Sequence, residues 1–433
     1  KELLNFLSKS PTAFHAVENY RQILNADGFK ELLESEHWDI VPGGKYYVTR
    51  NNTSILAFKV GTKLDNYSFN IVTSHTDSPT FKVKENAEIE VKNKYTQLNT
   101  EGYGGMLCAT WLDRPLSIAG RVLVSEGNSI VTKLLNIDRD LLMIPNVAIH
   151  MNRAANDGFK YNLQVDMLPL LSGGDDRQKD FKQIIADELG VKKEDILGHD
   201  LYLYNRMAPS IWGANEEFIS AGHLDDLQCG FASLKALLAG YNDESIDIMA
   251  CFDNEEVGSG TKQGADSTLL RDTLIRINNA LGKTEEDYHR ALASSFMLSA
   301  DNAHAVHPNH PEHTDVTNCT YMNEGVVVKS HAGQKYTSDG VSMAVVKSLA
   351  SGADVPLQYF ANRSDKAGGS TLGNIAMAQA SMNAVDIGLP QLAMHSSYET
   401  AGIKDTYYAI SLMKALFDSH IQETSTHSLE IKR

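Results

Sequence analysis

SIDIMACFDNEEVGS, residues 245–259, joins a short apolar run to two adjacent glutamates. Ile246 to Phe252 has the length and composition of a strand buried on both faces, and Glu255 and Glu256 fall at its carboxyl end. A solvated sheet rim tolerates such a pair, since most carboxylates are exposed. The surrounding pattern decides between a rim and a site.

From Gly222 onward, helix and buried strand alternate. LDDLQCGFASLKALLAG reads as helix, SIDIMACF and SFMLSA as strands, TSDGVSMAVVKSLA as helix, PLQYFA as strand, GNIAMAQASMNA as helix and QLAMH as strand. That alternation predicts an α/β sheet with helices on both faces. Upstream, Ser10 and Pro11 open a helix that closes near Gly28, and SILAFKV (54–60) and YSFNIVTS (67–74) are strands. Between residues 88 and 217 the texture changes to short alternating strands with Gly-rich turns and one helix, Phe181 to Leu189. The expected organisation is a catalytic domain split over 1–87 and 218–433, with a mainly β domain of 88–217 inserted.

The chain has 433 residues, 42% hydrophobic and 22% charged, enough for a large core and two domains. A net charge of −16 without a dense Lys/Arg block excludes nucleic acid or an anionic membrane as the main partner. Cys108, Cys229, Cys251 and Cys319 are widely spaced and form no CxxC pair, as expected of reduced thiols. The opening KELLNFLSKSPTAFHAV lacks a signal-peptide core, and no run of 18 apolar residues occurs; a cytoplasmic location is expected.

Four strands end in metal-ligand residue types: SFNIVTS runs into His75 and Asp77, IDIMACF into Glu255 and Glu256, SFMLSA into Asp301, and PQLAM into His395. Ligands bind at the carboxyl ends of strands in open α/β sheets, so these endings can share one crevice. Asp225, in HLDDLQC, opens a predicted helix and could act there as a simple cap. Gathering these carboxylates without counter-charge would raise their pKa values and cost several kcal/mol per buried ion, so the site calls for cations. Two divalent ions would supply them. Imidazole plus carboxylate donors without thiolate suit zinc, cobalt or manganese. Asp77, two residues beyond His75 on an extended segment, can accept the other ring N–H. Adjacent Glu255 and Glu256 point different ways, so one can hold metal while the other serves as base.

SPTAFHAV, SHTDSP, YGGMLCATWLDRPLSIAGRV, HLDDLQC, DNEEVGS, SADNAHAVHPNH and QLAMHSSYE together resemble the aspartyl aminopeptidase family, which includes the vacuolar aminopeptidase I type of enzyme. The resemblance spans nearly the whole chain. It implies a three-layer, mixed-sheet zinc-peptidase domain with an inserted dimerisation domain, and a two-metal exopeptidase acting on peptides with a free N-terminus. In that reading Asp225 bridges two Zn2+ ions, with Co2+ or Mn2+ as alternatives. His75 and Asp301 complete one site, and Glu256 and His395 the other. Asp77 orients His75, and Glu255 is the general base that takes the proton of the shared water. His150, in AIHMNR, corresponds to a histidine that reaches a neighbouring subunit's active site, and the assembly implied is a tetrahedral dodecamer built from dimers.

The first residue of the substrate is left as acidic or large and apolar. Lys335 is a candidate cation for an acidic side chain, and Gly369 and Ser370 in GGSTLG are candidate pocket-lining groups. His223 stands where the family often carries arginine. His304, His307, His310 and His313 are regularly spaced, but Pro308 and Pro311 break any helix that would align them, so a separate metal site is not expected there. A di-metal amidohydrolase of N-acyl amino acids and an inactive scaffold of the same fold are the alternatives. Serine or cysteine hydrolysis lacks its motifs.

Overall fold

The computed structural model describes residues 1–174, 180–426 and 428–433. Nine strands form the main sheet, in the order Lys30–Glu31, Lys45–Arg50, Ser54–Val60, Ser245–Phe252, Ser68–His75, Phe296–Ala300, Asn383–Gly388, Val326–Lys329 and Leu357–Phe360. The four in the middle, from Ser245–Phe252 to Asn383–Gly388, run parallel, which brings the ends of distant segments to one edge. Successive residues of these strands feed opposite cores. Val72, Met249, Leu298 and Ile387 pack with the helices Ala13–Ala26, Leu224–Ala239, Gly340–Gly352 and Asp405–Phe417. Ile71, Ile248, Met297 and Ala384 pack with Leu269–Ala280, Glu285–Ala293 and Leu372–Gln379. Helices therefore cover both faces, and the architecture is a three-layer α/β one.

A second sheet has six strands, all antiparallel, in the order Ser129–Asn136, Leu116–Glu126, Ile196–Asn205, Thr80–Val91, Tyr95–Tyr103 and Leu170–Gly173. Its core includes Phe81, Trp111, Ile118 and Leu203, closed by Phe181 and Ile185 of the helix Phe181–Leu189. Its strand Thr80–Val91 starts eight residues ahead of position 88, directly after SHTDSP at the edge of the main sheet. A third, five-stranded sheet runs Ser210–Trp212, Phe218–Ala221, Glu399–Gly402, Pro390–Leu392 and Ala303–His304.

Three local expectations change. GNIAMAQASMNA is not helical throughout: the helix stops at Gln379, and Asn383–Gly388 becomes a central strand. Ala384, Val385 and Ile387 are buried there, and flanking strands outweigh the helical signal of the small residues before them. Strand Pro390–Leu392 belongs to the third sheet and ends before His395, which sits in a turn with φ +67°. The first long helix begins at Ala13 with Thr12 at its N-cap, and a short helix, Glu2–Ser8, precedes it. None of the cysteines is in a disulfide, and Cys229 and Cys251 are buried.

Candidate active site

His75 is the last residue of the strand Ser68–His75, and Phe252 pairs with it across the neighbouring parallel strand. The chain then turns through Asn254, at φ +62°, into a short 3-10 turn carrying Glu255 and Glu256. Asp301 directly follows the strand Phe296–Ala300. Asp225 and Asp226 stand at the start of the helix Leu224–Ala239 with non-helical φ/ψ and a cis peptide between them. The backbone there is held outside the helical ladder, the Asp225 N–H by Glu399 and its carbonyl by the Ser78 hydroxyl.

These segments meet. The His75 Nε2 atom lies 3.4 Å from Asp225 Oδ1 and 3.9 Å from Asp301 Oδ1. His395 Nε2 lies 3.5 Å from Asp225 Oδ2 and 3.3 Å from Glu256 Oε2. Two donor triads result, His75–Asp225–Asp301 and Asp225–Glu256–His395, and they share Asp225. A third combination brings Glu255 together with His75 and Glu256, so Glu255 reaches the same space.

Asp77 is placed differently from the simple ring-acceptor picture. The His75 Nδ1 atom is 3.0 Å from the Asp77 backbone carbonyl and 3.4 Å from its carboxylate. The carboxylate instead accepts the backbone N–H groups of Glu255 and Glu256, each at 3.2 Å, and the Tyr103 hydroxyl at 2.7 Å. Asn254 Nδ2 in turn donates to that hydroxyl at 2.8 Å. One buried aspartate thus ties the His75 strand end to the glutamate turn. Gly104, next to Tyr103, has φ +72°, and a Cβ there would stand 3.1 Å from the Glu256 side chain, so a larger residue would strain the backbone and crowd that glutamate.

Glu399 plays the matching part on the other side. Its carboxylate accepts the Asp225 N–H at 3.0 Å and the His395 N–H at 2.8 Å. The remaining ring nitrogen of His395 is 2.9 Å from the Gly105 carbonyl, which fixes the Nε2 atom toward Asp225 and Glu256. Asp226 accepts the His75 N–H at 3.2 Å. Sequence reasoning assigned no role to Glu399, Asp226 or Tyr103. All three sit inside the stretches QLAMHSSYE, HLDDLQC and YGGMLCATWLDRPLSIAGRV, but only burial distinguishes the two acids from solvated ones.

The electrostatics reflect crowded acids. Burial pushes Glu255 up to about 8 and Glu256 up to about 7. Burial also raises Asp301, to about 6, although Lys329 beside it works in the opposite direction. Burial disfavours the Asp225 charge too, yet the His395 and His75 rings outweigh it and hold that carboxyl well below its ordinary range. His395 reaches about 11, because Asp225 and Glu256 overcome the burial of its charged form. Buried oxygens Asp225 Oδ1 and Glu256 Oε1 have no hydrogen-bond partner. Uncompensated buried carboxylate oxygens beside imidazole nitrogens, with no sulfur donor, fit divalent zinc.

A cavity of about 400 Å3 opens onto the centre, bounded by Glu255, Lys329, Tyr336, Phe360, Ile375 and Met394 among others. Gly369 and Ser370 line it as well. Lys335 does not; its ammonium donates to the Ala367 and Gly368 carbonyls, both at 3.1 Å, and holds the glycine-rich loop. The buried cation of the lining is Lys329, which donates to the Asn302 carbonyl at 2.9 Å and lies 3.9 Å from Asp301. His150 is exposed and outside the cavity. His223 lines a different cavity, on which Asp77 also borders.

The profile of the aminopeptidase I zinc metalloproteases (M18) matches residues 6–417. The chain belongs to this M18 family. It is 48% identical to a probable M18 family aminopeptidase 2 of Clostridium novyi over 423 residues, covering 96% of this chain and 98% of the relative. A second relative of that name, from Clostridium acetobutylicum, is 48% identical over 414 residues, covering 94% of this chain and 96% of the relative. Among solved structures, Ape4 in a complex with Nbr1 superposes with a TM-score of 0.93 at 35% identity, covering 96% of this chain and 85% of that one. The S. cerevisiae mApe1 dodecamer gives a TM-score of 0.84 at 28% identity, covering 96% and 95%. The fold is that of the M18 aminopeptidases, and the chain is an M18 zinc aminopeptidase. Among the described residues no helix is long and apolar enough to cross a membrane.

Proposed function

We propose that this M18 enzyme removes the N-terminal residue of peptides at a two-zinc centre, with Glu255 as general base. The shared Asp225 between two donor triads carries this reading. His75 and Asp301 would hold one ion, Glu256 and His395 the other, and Asp225 both. Bound there, the metals would supply Lewis acidity toward the substrate carbonyl and lower the pKa of water.

The protein's own groups supply the rest. Glu255 takes a proton from the attacking water and returns it to the leaving amine. Its carboxyl, raised by burial, ionises near neutrality once positive charge lies beside it. Asp77 fixes the Glu255 backbone, and Glu399 fixes those of Asp225 and His395, so base and ligands keep their spacing. The first side chain of the substrate enters the adjoining cavity, where Lys329 suits an acidic group and Phe360, Ile375 and Met394 suit a large apolar one.

We further infer that the segment 88–217 is the dimerisation domain and that His150 completes a neighbour's site. Val147, Ile149 and Met151 are exposed beside His150 in one chain, apolar surface that a second copy would cover. The mApe1 neighbour is a dodecamer, which supports a tetrahedral dodecamer built from dimers as the assembly inferred for this chain.

The test is a panel of aminoacyl anilides, free and N-acylated, assayed before and after chelation. Chelator-sensitive release from free-amine substrates alone supports the proposal. Faster hydrolysis of the acylated set would replace it with an amidohydrolase, and no hydrolysis of either would leave a scaffold.

A further inference from the structure

His307, His310 and His313 follow one another at intervals of three. The His310 N–H bonds to the His307 carbonyl at 3.0 Å, and the His313 N–H to the His310 carbonyl at 3.2 Å. Each bond closes a three-residue turn, and His310, at φ −140° and ψ 54°, joins the first turn to the short 3-10 helix Pro311–His313. Pro308 and Pro311 each follow a histidine and open the next turn, where a missing N–H costs nothing. The prolines that would break an α-helix therefore suit these two successive turns. The rings of His307 and His310 are 5.4 Å apart, as are those of His310 and His313, the latter pair stacked at 26°.

Glu312 sits at the top of this ladder. Its Oε1 atom is 3.1 Å from His310 Nδ1 and 4.0 Å from His313 Nε2. Four-coordinate zinc with bonds near 2.0–2.1 Å keeps its donors about 3.3 Å apart, so small side-chain rotations suffice. Asn309 N–H donates to His307 Nδ1, which leaves Nε2 of that ring as the free donor atom. The Glu312 carbonyl accepts from Arg363, whose guanidinium also pairs with Asp365, so the turn is anchored to a second loop. A hydrogen bond from its own backbone N–H and one from His310 lower the Glu312 carboxyl, keeping it ionised.

We propose that His310, Glu312 and His313, with His307 alongside, form a separate surface site for a borderline transition-metal dication such as zinc or nickel. Imidazole and carboxylate are the donors such ions select. The site shares no residue with the centre around Asp225.

Equilibrium dialysis of the full chain against Ni2+ at pH 7.5 tests this, comparing wild type with H310A/H313A and with E312Q. The expected result is one ion per subunit fewer in H310A/H313A, and about tenfold weaker binding of that ion in E312Q. Equal uptake in wild type and H310A/H313A overturns the proposal. Every protein in the comparison retains His75, Asp225 and His395, so a failure of the catalytic reading changes all uptakes alike and leaves the difference interpretable.

Discussion

The buried centre draws His75, Asp225, Glu256, Asp301 and His395 from five separate segments, whereas the exposed ladder takes all its donors from the single stretch 307–313. The same residue type behaves oppositely in the two places. Burial raises Glu256 to about 7, while Glu312, surrounded by water and its own turn, is lowered. A fold is needed to assemble the first set; a turn is enough for the second. Local density of ligand residues is therefore a poor guide to catalytic potential, and convergence of strand ends is a better one.

The contrast is sharpest at Glu255. Replacing it by Gln should leave bound metal unchanged and lower kcat by about 10² to 10⁴, measured with metal analysis on the same sample. A variant turning over near the wild-type rate takes Glu255 out of the base role. Asp77→Asn, which keeps the shape but weakens the anchor of both glutamate N–H groups, should cost about 10- to 100-fold in metal affinity or kcat. If the effect matches that of an exposed Asp→Asn change, Asp77 is not a positioning residue.

The pH dependence of metal uptake separates the two regions further. Without metal, Glu256 holds its proton up to about pH 7 and His395 up to about 11. Binding must displace those protons, so affinity at the centre should weaken as pH falls, by about tenfold per unit for each proton released. Competition with a chelator at pH 6, 7 and 8 measures it; a flat profile contradicts the assigned ligands. Tyr103→Phe removes one of three donors to Asp77 and should lower kcat about tenfold or less. Smallest of all, His310→Ala should change kcat by less than about twofold, since the ladder lies outside the catalytic set.

Much of the centre was legible because its rules are one-dimensional. A buried strand that runs into His75, Asp301 or the turn carrying Glu255 announces an edge, and parallel neighbours put those edges together. His395 was read as the same kind of strand end, but it follows a strand of the small third sheet and is aimed by a turn. Glu399 and Asp226 escaped because a carboxylate directly after a tyrosine, or next to another aspartate, looks solvated until the surrounding elements bury it. Tyr103 opens the stretch YGGMLCATW, but it reaches Asp77 from the end of a strand of the second sheet, a contact no local pattern announces. In the fold, Asn383–Gly388 was hidden behind a stretch of Ala, Met and Gln with helical preference, and only its neighbours on both sides make it a strand. The close spacing of the His307, His310 and His313 rings was hidden for want of one consideration, that proline forbids an α-helix but not successive three-residue turns.

Crystals of the enzyme, measured on both sides of the zinc absorption edge, test the main claim most directly. Two anomalous peaks flanking the Asp225 carboxylate, one toward His75 and Asp301 and one toward Glu256 and His395, are the predicted result. An active protein with a single peak, or with none between those residues, would contradict it.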